Sequence, residues 1–478
     1  MIRTTISSST RKPGTFIEFD KTSRSRGLVP LNRVVGLVGM KSSAGTQAAA
    51  TPIQVTSEAE ADLLFGKGSE LAIMCRAALK QAAKQAGAAP ALWGVCLADG
   101  GTKATYTMTV TGPATEAGDV EFTICGRTIR AGVANAASAI TVAASIVAAI
   151  KQYGYQYLPV TAAVGGGGSE HIVTLTAVNG GTNGNDIKVP VIVKYPAGIA
   201  VAVANGVSGA TAYDLTVSLD VMNDRIYHAV AVANHIANDI SDLKAYATAR
   251  GGAAAKAWTI CYVAETGTLA TATALASGSN EMDVCMLSAE GFVNMPGEIA
   301  AMVAMAVEAE TDVAKSFDGV ELDLYPPPAA SVPTDTEIET ALAAGTTPLT
   351  VNAAGDKGKI VRLVTTLTTI SSAPFEDLLD ISNVRSLYYV GWQCDAAYAL
   401  HFPRAKKNER TREAIKSVTL DVLYKCEELE ILQNVDAHKS EVLVEWDTVV
   451  KTRANVGIPA SVVPNLHQAC GVVYLQIE

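Results

Sequence analysis

Apolar and polar positions alternate near the two ends of the chain and fuse into solid apolar runs between them. Residues 15–20 (TFIEFD) alternate, which predicts a short strand, and no hairpin partner lies close to it in sequence. RVVGLVGM (33–40) and LWGVCLA (92–98) are continuous apolar runs of the kind that form buried strands. Between them, Ser57 and Glu60 have capping-box spacing, so a short helix is expected to end at Gly66. Ser69 can cap a second helix running to Gly87. This strand, helix, strand order argues for an α/β layer.

The texture changes over residues 102–215, where Thr, Val and Gly rise. YTMTV, EFTIC, IVTLTAV and IKVPVIVKY read as strands, interrupted by one helix over about 138–151. Asn179-Gly180, Asn183-Gly184 and Asn205-Gly206 read as turns, and Gly165 to Gly168 as a flexible tip. The expectation is a β-rich domain inserted into the α/β one. From 223 onward the α/β grammar returns. A helix is expected over 223–249, ending at Gly251-Gly252, then strands at WTICYVA (258–264) and MDVCMLS (282–288) and a helix over 297–316. YPPP (325–328) is a stiff connector, and Thr334 with Glu337 caps a short helix ending at Gly345. PLTV and KIVRLVTTL (359–367) look like a strand pair, and helices follow over 375–400 and 409–433. EVLVEW (441–446) and VVYLQI (472–477) read as strands, and no internal repeat is visible.

Composition narrows the classes. With 49% hydrophobic and 18% charged residues, the 478-residue chain can build substantial cores and is too apolar to be disordered. The formal net charge of −10 argues against bulk nucleic-acid binding. Seven basic residues (Arg3, Arg11, Lys12, Lys21, Arg24, Arg26, Arg33) against Glu18 and Asp20 make residues 1–33 +5 and the remainder −15. That is either a solvated terminus or a basic arm for the acidic body of another copy. Eight scattered cysteines without a C-x-x-C pair read as reduced core residues of a cytosolic protein. No signal peptide is apparent. Residues 131–150 carry no charge, but their Ala, Ser, Thr and Asn content favours a buried soluble helix over a membrane span.

Catalytic motifs are missing from the sequence: no G-x-S-x-G, Walker A, H-E-x-x-H or usable G-x-G-x-x-G. His228 and His235 would share a face of one helix, which is weak metal evidence without a third ligand. Asp318, Glu321 and Asp323 read as a solvated strand edge. The segment 403–416 carries six basic and two acidic side chains, and 417–434 one basic and four acidic. This order opposes the helix macrodipole, so the basic stretch is either a partner surface or a solvated loop before the helix. An α/β hydrolase-like enzyme and a β-rich adhesin or binding module stay open as alternatives.

Several segments together resemble the Mu-like family of contractile phage tail sheath proteins. They are PGTFIEFDKTSRSRGLVPLNRVVGLVGM at the start, GGTNGNDIKV (180–189), AAGTTPLTVNAAGDKGKIVRLVTTLTT (343–369) and the ending IPASVVPNLHQACGVVYLQIE. Their order and spacing carry the resemblance. It implies an α/β core of sheath type, a mixed sheet with flanking helices, an inserted β-rich domain and extended terminal arms. The corresponding division is an arm over 1–30, core over 31–101, insertion over 102–215, core and C-terminal sheath domain over 216–446, and an arm over 447–478. It implies no catalytic residue, cofactor or metal, and a structural subunit that polymerises helically and contracts. Candidate inter-subunit strands contain Phe16, Ile17, Glu18 and Phe19 at one end and Val472, Val473, Tyr474 and Leu475 at the other. The helix with Arg410, Arg412 and Lys416 is the candidate for docking on the tube. Implied partners are other copies of the chain, a tail tube protein, and baseplate and tail-terminator proteins, without direct nucleic-acid contact or membrane insertion. The implied location is the virion tail, after synthesis in the host cytoplasm.

Overall fold

The computed structural model describes residues 28, 31–84, 89–188, 191–211 and 213–475. Among them, a nine-stranded sheet forms the body. Its parallel strands lie in the order Ala91–Leu97, Val34–Met40, Ala229–Val232, Ile260–Glu265, Val284–Ser288, Thr346–Val351. Ile53–Gln54 pairs antiparallel at one edge, and Gly358–Ile360 and Glu321–Leu322 at the other. In chain order the parallel strands read 2-1-3-4-5-6, a doubly wound arrangement whose order reverses between Val34–Met40 and Ala229–Val232.

Alternation along each strand sends side chains to two separate cores. Val35, Leu37, Ala229, Ala231, Ile260, Tyr262, Cys285 and Leu287 face one side, covered by the helices Glu70–Ala82 and Pro296–Ala309. Val38, Val230, Val232, Cys261, Val263, Val284 and Met286 face the other, covered by Thr216–Val221, Ala237–Arg250 and Leu269–Ser279. The helix Pro296–Ala309 is buried along its whole length, which explains its apolar character all round. Small residues let it approach the sheet: a Cβ on Gly297 would lie 3.0 Å from the Ala233 Cα and Cβ.

The structure departs from the expected helix over 223–249. Residues 229–232 form a central strand, and only Ala237–Arg250 is helical in the second half of that segment. A strand covered on both faces needs no polar alternation, and its alanines are the small residues that the buried helix packs on. A helix, Leu269–Ser279, also lies between two strands where none is expected; it is the crossover that parallel pairing requires. The helix expected over 297–316 stops at Ala309, and KIVRLVTTL is strand only through Ile360.

Between the strands Ala91–Leu97 and Ala229–Val232 the chain builds two antiparallel sheets. One has the order Ala200–Asn205, Lys103–Thr111, Ile172–Gly180, Val160–Val164, and the other Arg127–Val133, Gly118–Ile124, Val191–Lys194. With the helix Ala139–Tyr153 they enclose a core that includes Met108, Phe122, Ile146 and Leu175. That helix buries only Val142, Ala143, Ile146 and Ile150, so it is amphipathic and not buried all round. Among the described residues, no helix is long and apolar enough to cross a membrane. The C-terminal part packs Ile381–His401 against Glu409–Glu428, around Val390, Cys394, Val422, Leu423 and Cys426, and ends in a two-stranded ribbon, Leu443–Trp446 with Ala454–Gly457.

Candidate assembly surfaces

In doubly wound folds ligands bind at the carboxyl ends of the strands where the order reverses. Here that crevice is filled by the chain's own segment around 179–187. Asn179 accepts from the Glu70 backbone N–H (2.9 Å) and donates to Lys41 O (2.8 Å). Asn183 donates to Glu70 Oε1 (2.9 Å) and to Asn234 Oδ1 (3.1 Å), and Glu70 Oε2 accepts from the Met40 N–H (3.0 Å). Burial pushes the Glu70 carboxyl up to about 7. His235 lies 3.6 Å from Asp186, which burial raises to about 6, and 3.7 Å from Glu265. A cavity of about 20 Å³ is left beside Glu70, Asn179 and Asn183, room for about one water molecule. Two of the three Asn-Gly pairs expected to be hairpin turns therefore form a polar wedge: Asn179-Gly180 ends a strand and Asn183-Gly184 lies in a 3-10 turn.

The histidines do not share a helix, because the strand Ala229–Val232 separates them. His228 Nδ1 accepts from the Val34 N–H at 3.1 Å, and its ring lies 4.9 Å from Trp392. Among the described residues, no group of three or more potential ligands is placed to hold a metal. Seven cysteines are buried, and burial raises thiols such as Cys285 (to about 12). Cys470 is exposed. The three carboxylates read as a solvated edge are exposed at the edge strand, and each has a partner: Asp318 with His467, Glu321 with Lys357 and Asp323 with Lys84.

The terminal segments leave the body from defined anchors. Arg33 donates to the backbone carbonyls of Glu308 (3.2 Å), Glu310 and Thr311 (2.9 Å), placing a cation at the C-terminus of the buried helix Pro296–Ala309. Leu28 packs against the C-terminal core. The predicted strand with Phe16, Ile17, Glu18 and Phe19 lies outside the described residues. At the other end, Ile458, Ala460 and Val462 pack on the C-terminal core, and the Val463 N–H donates to Ile431 O (3.2 Å). Much of the expected arm over 447–478 is thus bound to its own body. From 468 to 475 every residue is exposed and none is in a strand, with Val472, Val473, Tyr474 and Leu475 all at least 74% exposed. The alternation in VVYLQI suits a strand, but no partner strand exists among the described residues.

The helix expected over 409–433 spans Glu409–Glu428, capped by Asn408, whose side chain accepts from the Thr411 N–H. Arg404, Lys406 and Lys407 precede it, so only half of the basic stretch opposes the macrodipole. Arg412 pairs with Glu409 (2.8 Å) and Glu413 (3.5 Å) on its own helix. Arg410 is exposed and Lys416 half-buried. The Trp446 indole donates to Glu409 (3.4 Å), and Lys407 lies over its ring at 5.0 Å. The ribbon and the basic helix end therefore form one continuous surface. The sequence reading missed the second ribbon strand, Ala454–Gly457; the apolar-polar-apolar order of Ala454, Asn455 and Val456 was its signal.

No family model matches the chain. By sequence it is 27% identical, over 94% of its length and 94% of the relative's, to the Mu-like prophage FluMu tail sheath protein of Haemophilus influenzae. By fold it is similar to the sheath tail protein of Desulfitobacterium hafniense, with a TM-score of 0.51 at 14% identity, covering 94% of this chain and 100% of that one. It is also similar to a chain in the cryo-EM structure of the anti-feeding prophage baseplate, with a TM-score of 0.50 at 10% identity, covering 98% and 100%. The chain is thus similar along nearly its whole length to a Mu-like prophage tail sheath protein, and it has the fold of a sheath tail protein.

Proposed function

We propose that this chain is the structural subunit of a contractile tail sheath, polymerising helically around a tail tube and shortening to drive the tube forward. The similarity to a tail sheath protein over 94% of both chains carries this reading. The reading is of a structural protein and not an enzyme, because the relative it matches along its length is a tail sheath protein; Asn179 and Asn183 filling the crevice of the doubly wound sheet agree with it.

Assembly proceeds through the terminal strands. A two-stranded ribbon is marginal alone and gains from further strands on its edges. The ribbon Leu443–Trp446/Ala454–Gly457 offers such edges, and the exposed segment at Val472–Leu475 needs a sheet. Addition of the terminal segments of neighbouring copies, including the strand predicted from sequence at Phe16–Phe19, satisfies both. The contact is heterologous, so it propagates as an open helix. Contraction is then a switch between two packings of linked rigid bodies, and the energy is stored at assembly. The insertion faces outward, and Arg410, Arg412 and Lys416 face the tube. Further partners are baseplate and tail-terminator proteins, and the location is the virion tail after synthesis in the host cytoplasm. Electron microscopy of the purified chain tests the reading. Hollow helical sheaths are expected from the full chain and none from a chain lacking residues 468–478; sheaths of normal length from the truncated chain would overturn it.

A further inference from the structure

The last residue of the C-terminal segment tied to the body is His467. Its Nδ1 meets the Asp318 carboxylate, and its Nε2 lies 3.1 Å from Asp380 Oδ2. Asp318 comes from the loop before the edge strand Glu321–Leu322, and Asp380 sits at the start of the helix Ile381–His401. Arg362 holds Asp380 through two hydrogen bonds of 2.8 and 2.9 Å, and Glu376 and Asp318 add negative charge around that guanidinium. Asn465 donates to Ser382 two residues earlier. Beyond His467 every described residue is exposed.

A neutral imidazole carries one donor and one acceptor nitrogen. With a carboxylate at each nitrogen, only the doubly protonated ring donates to both; a neutral ring turns a lone pair toward one of them. Imidazole is also the side chain that ordinarily changes charge between about pH 5 and pH 8. We infer that His467 is a protonation-dependent anchor that fixes where the C-terminal segment leaves its own body, and so sets how much chain is free to reach a neighbouring copy. With the ring charged, the eight described residues 468–475 extend over roughly 27 Å. With the ring neutral, the anchor retreats to Asn465, whose side chain donates to Ser382. Two more residues, 466 and 467, are then released, adding roughly 7 Å of reach. Its use in neighbour exchange rests on the proposed sheath assembly; the anchor itself does not.

Cys470 supplies the probe, because it is exposed three residues past the anchor while the other seven cysteines are buried. A nitroxide on Cys470 of the unassembled full chain is expected to be slow at pH 5 and severalfold more mobile at pH 9. His467→Ala should be mobile at both values. His467→Arg, which stays charged, should be slow at both. A label equally mobile at both pH values in the parent, or a His467→Ala chain that behaves like the parent, would overturn the inference. Melting curves confirm that each variant is folded. The readout needs no sheath, so failure of the anchor and failure of the assembly reading are separately visible.

Discussion

Asn183, in the inserted segment, donates its side-chain amide to the buried carboxylate of Glu70 in the body at 2.9 Å. The same amide reaches Asn234 at the end of the central strand Ala229–Val232. One side chain thus joins the insertion to the helix Glu70–Ala82 and to Asn234, just after the strand Ala229–Val232. Glu70 in turn accepts from Met40 at the end of the strand Val34–Met40, on the other side of the point where the sheet order reverses. What a ligand would do in an enzyme of this topology, the chain's own amide does here, and the crevice becomes a rigid joint.

Removing that amide should loosen the joint. Asn183→Ala deletes both hydrogen bonds and leaves a Glu70 oxygen buried without this donor, at an expected cost of about 1–3 kcal/mol. Urea unfolding of the unassembled chain measures it. A midpoint equal to the parent's would mean that the two hydrogen bonds contribute nothing net.

The pH dependence of stability has a definite sign. Burial first of all raises Glu70 to about 7 and Asp186, Asp239 and Asp283 to about 6, above their unfolded values. Groups raised on folding contribute stability that is fully present below the unfolded pKa and lost as pH rises through the folded one. Burial lowers His228, which works in the opposite sense as pH falls. With four groups against one, the unassembled chain should be more stable near pH 5.5 than near pH 8, by on the order of 1–2 kcal/mol. Calorimetric melting at the two values decides it, and a higher melting temperature at pH 8 would contradict the balance.

Much of this architecture was legible in the chain, for physical reasons that also explain the gaps. RVVGLVGM and LWGVCLA announce strands because a parallel strand covered on both faces is apolar throughout. AVAV at 229–232 has the same placement but is written in alanine and valine, and beside Ala-rich neighbours it reads as helix. The helix Leu269–Ser279 buries only Ala272, Ala276 and Ser279, so its pattern is faint; the Thr268 cap on Thr271 was the readable signal. Asn183-Gly184 looks like a hairpin turn because local chemistry cannot reveal that a buried carboxylate 113 positions earlier awaits the amide. The anchor at His467 was equally hidden, since Asp318 and Asp380 lie far off in sequence.

The boundary of the free C-terminal segment can be located by truncation. Loss of residues 468–478 removes only exposed side chains among those described, so the melting temperature should stay near the parent's. Truncation after Gly457 also removes Ile458, Ala460 and Val462 from the C-terminal core, and should cost about 2 kcal/mol or more. If both truncations melt alike, the segment 458–467 is not part of the body.

Tube docking should depend more on Arg410 than on Arg412. A contact that grips before contraction and releases during it suits hydrated charge pairs better than an apolar patch, and exposed pairs are worth only about 0–1 kcal/mol each. The grip then comes from repetition around the tube. Arg412 is engaged by Glu409 and Glu413 of its own helix, so part of its charge is already compensated. Arg410 is exposed and has no ion pair among the described residues, and Lys416 lies further along the same helix. Arg410→Glu should weaken assembly on purified tubes severalfold and leave tube-free polymerisation intact. Arg412→Glu alone should do less, and Arg412→Glu with Lys416→Glu should approach the Arg410→Glu effect. Raising salt well above physiological ionic strength should weaken the parent at the same step, because hydrated charge contacts are screened. Co-sedimentation with tubes measures each case. Parent-level binding by the Arg410→Glu and double variants would remove this helix from the docking surface.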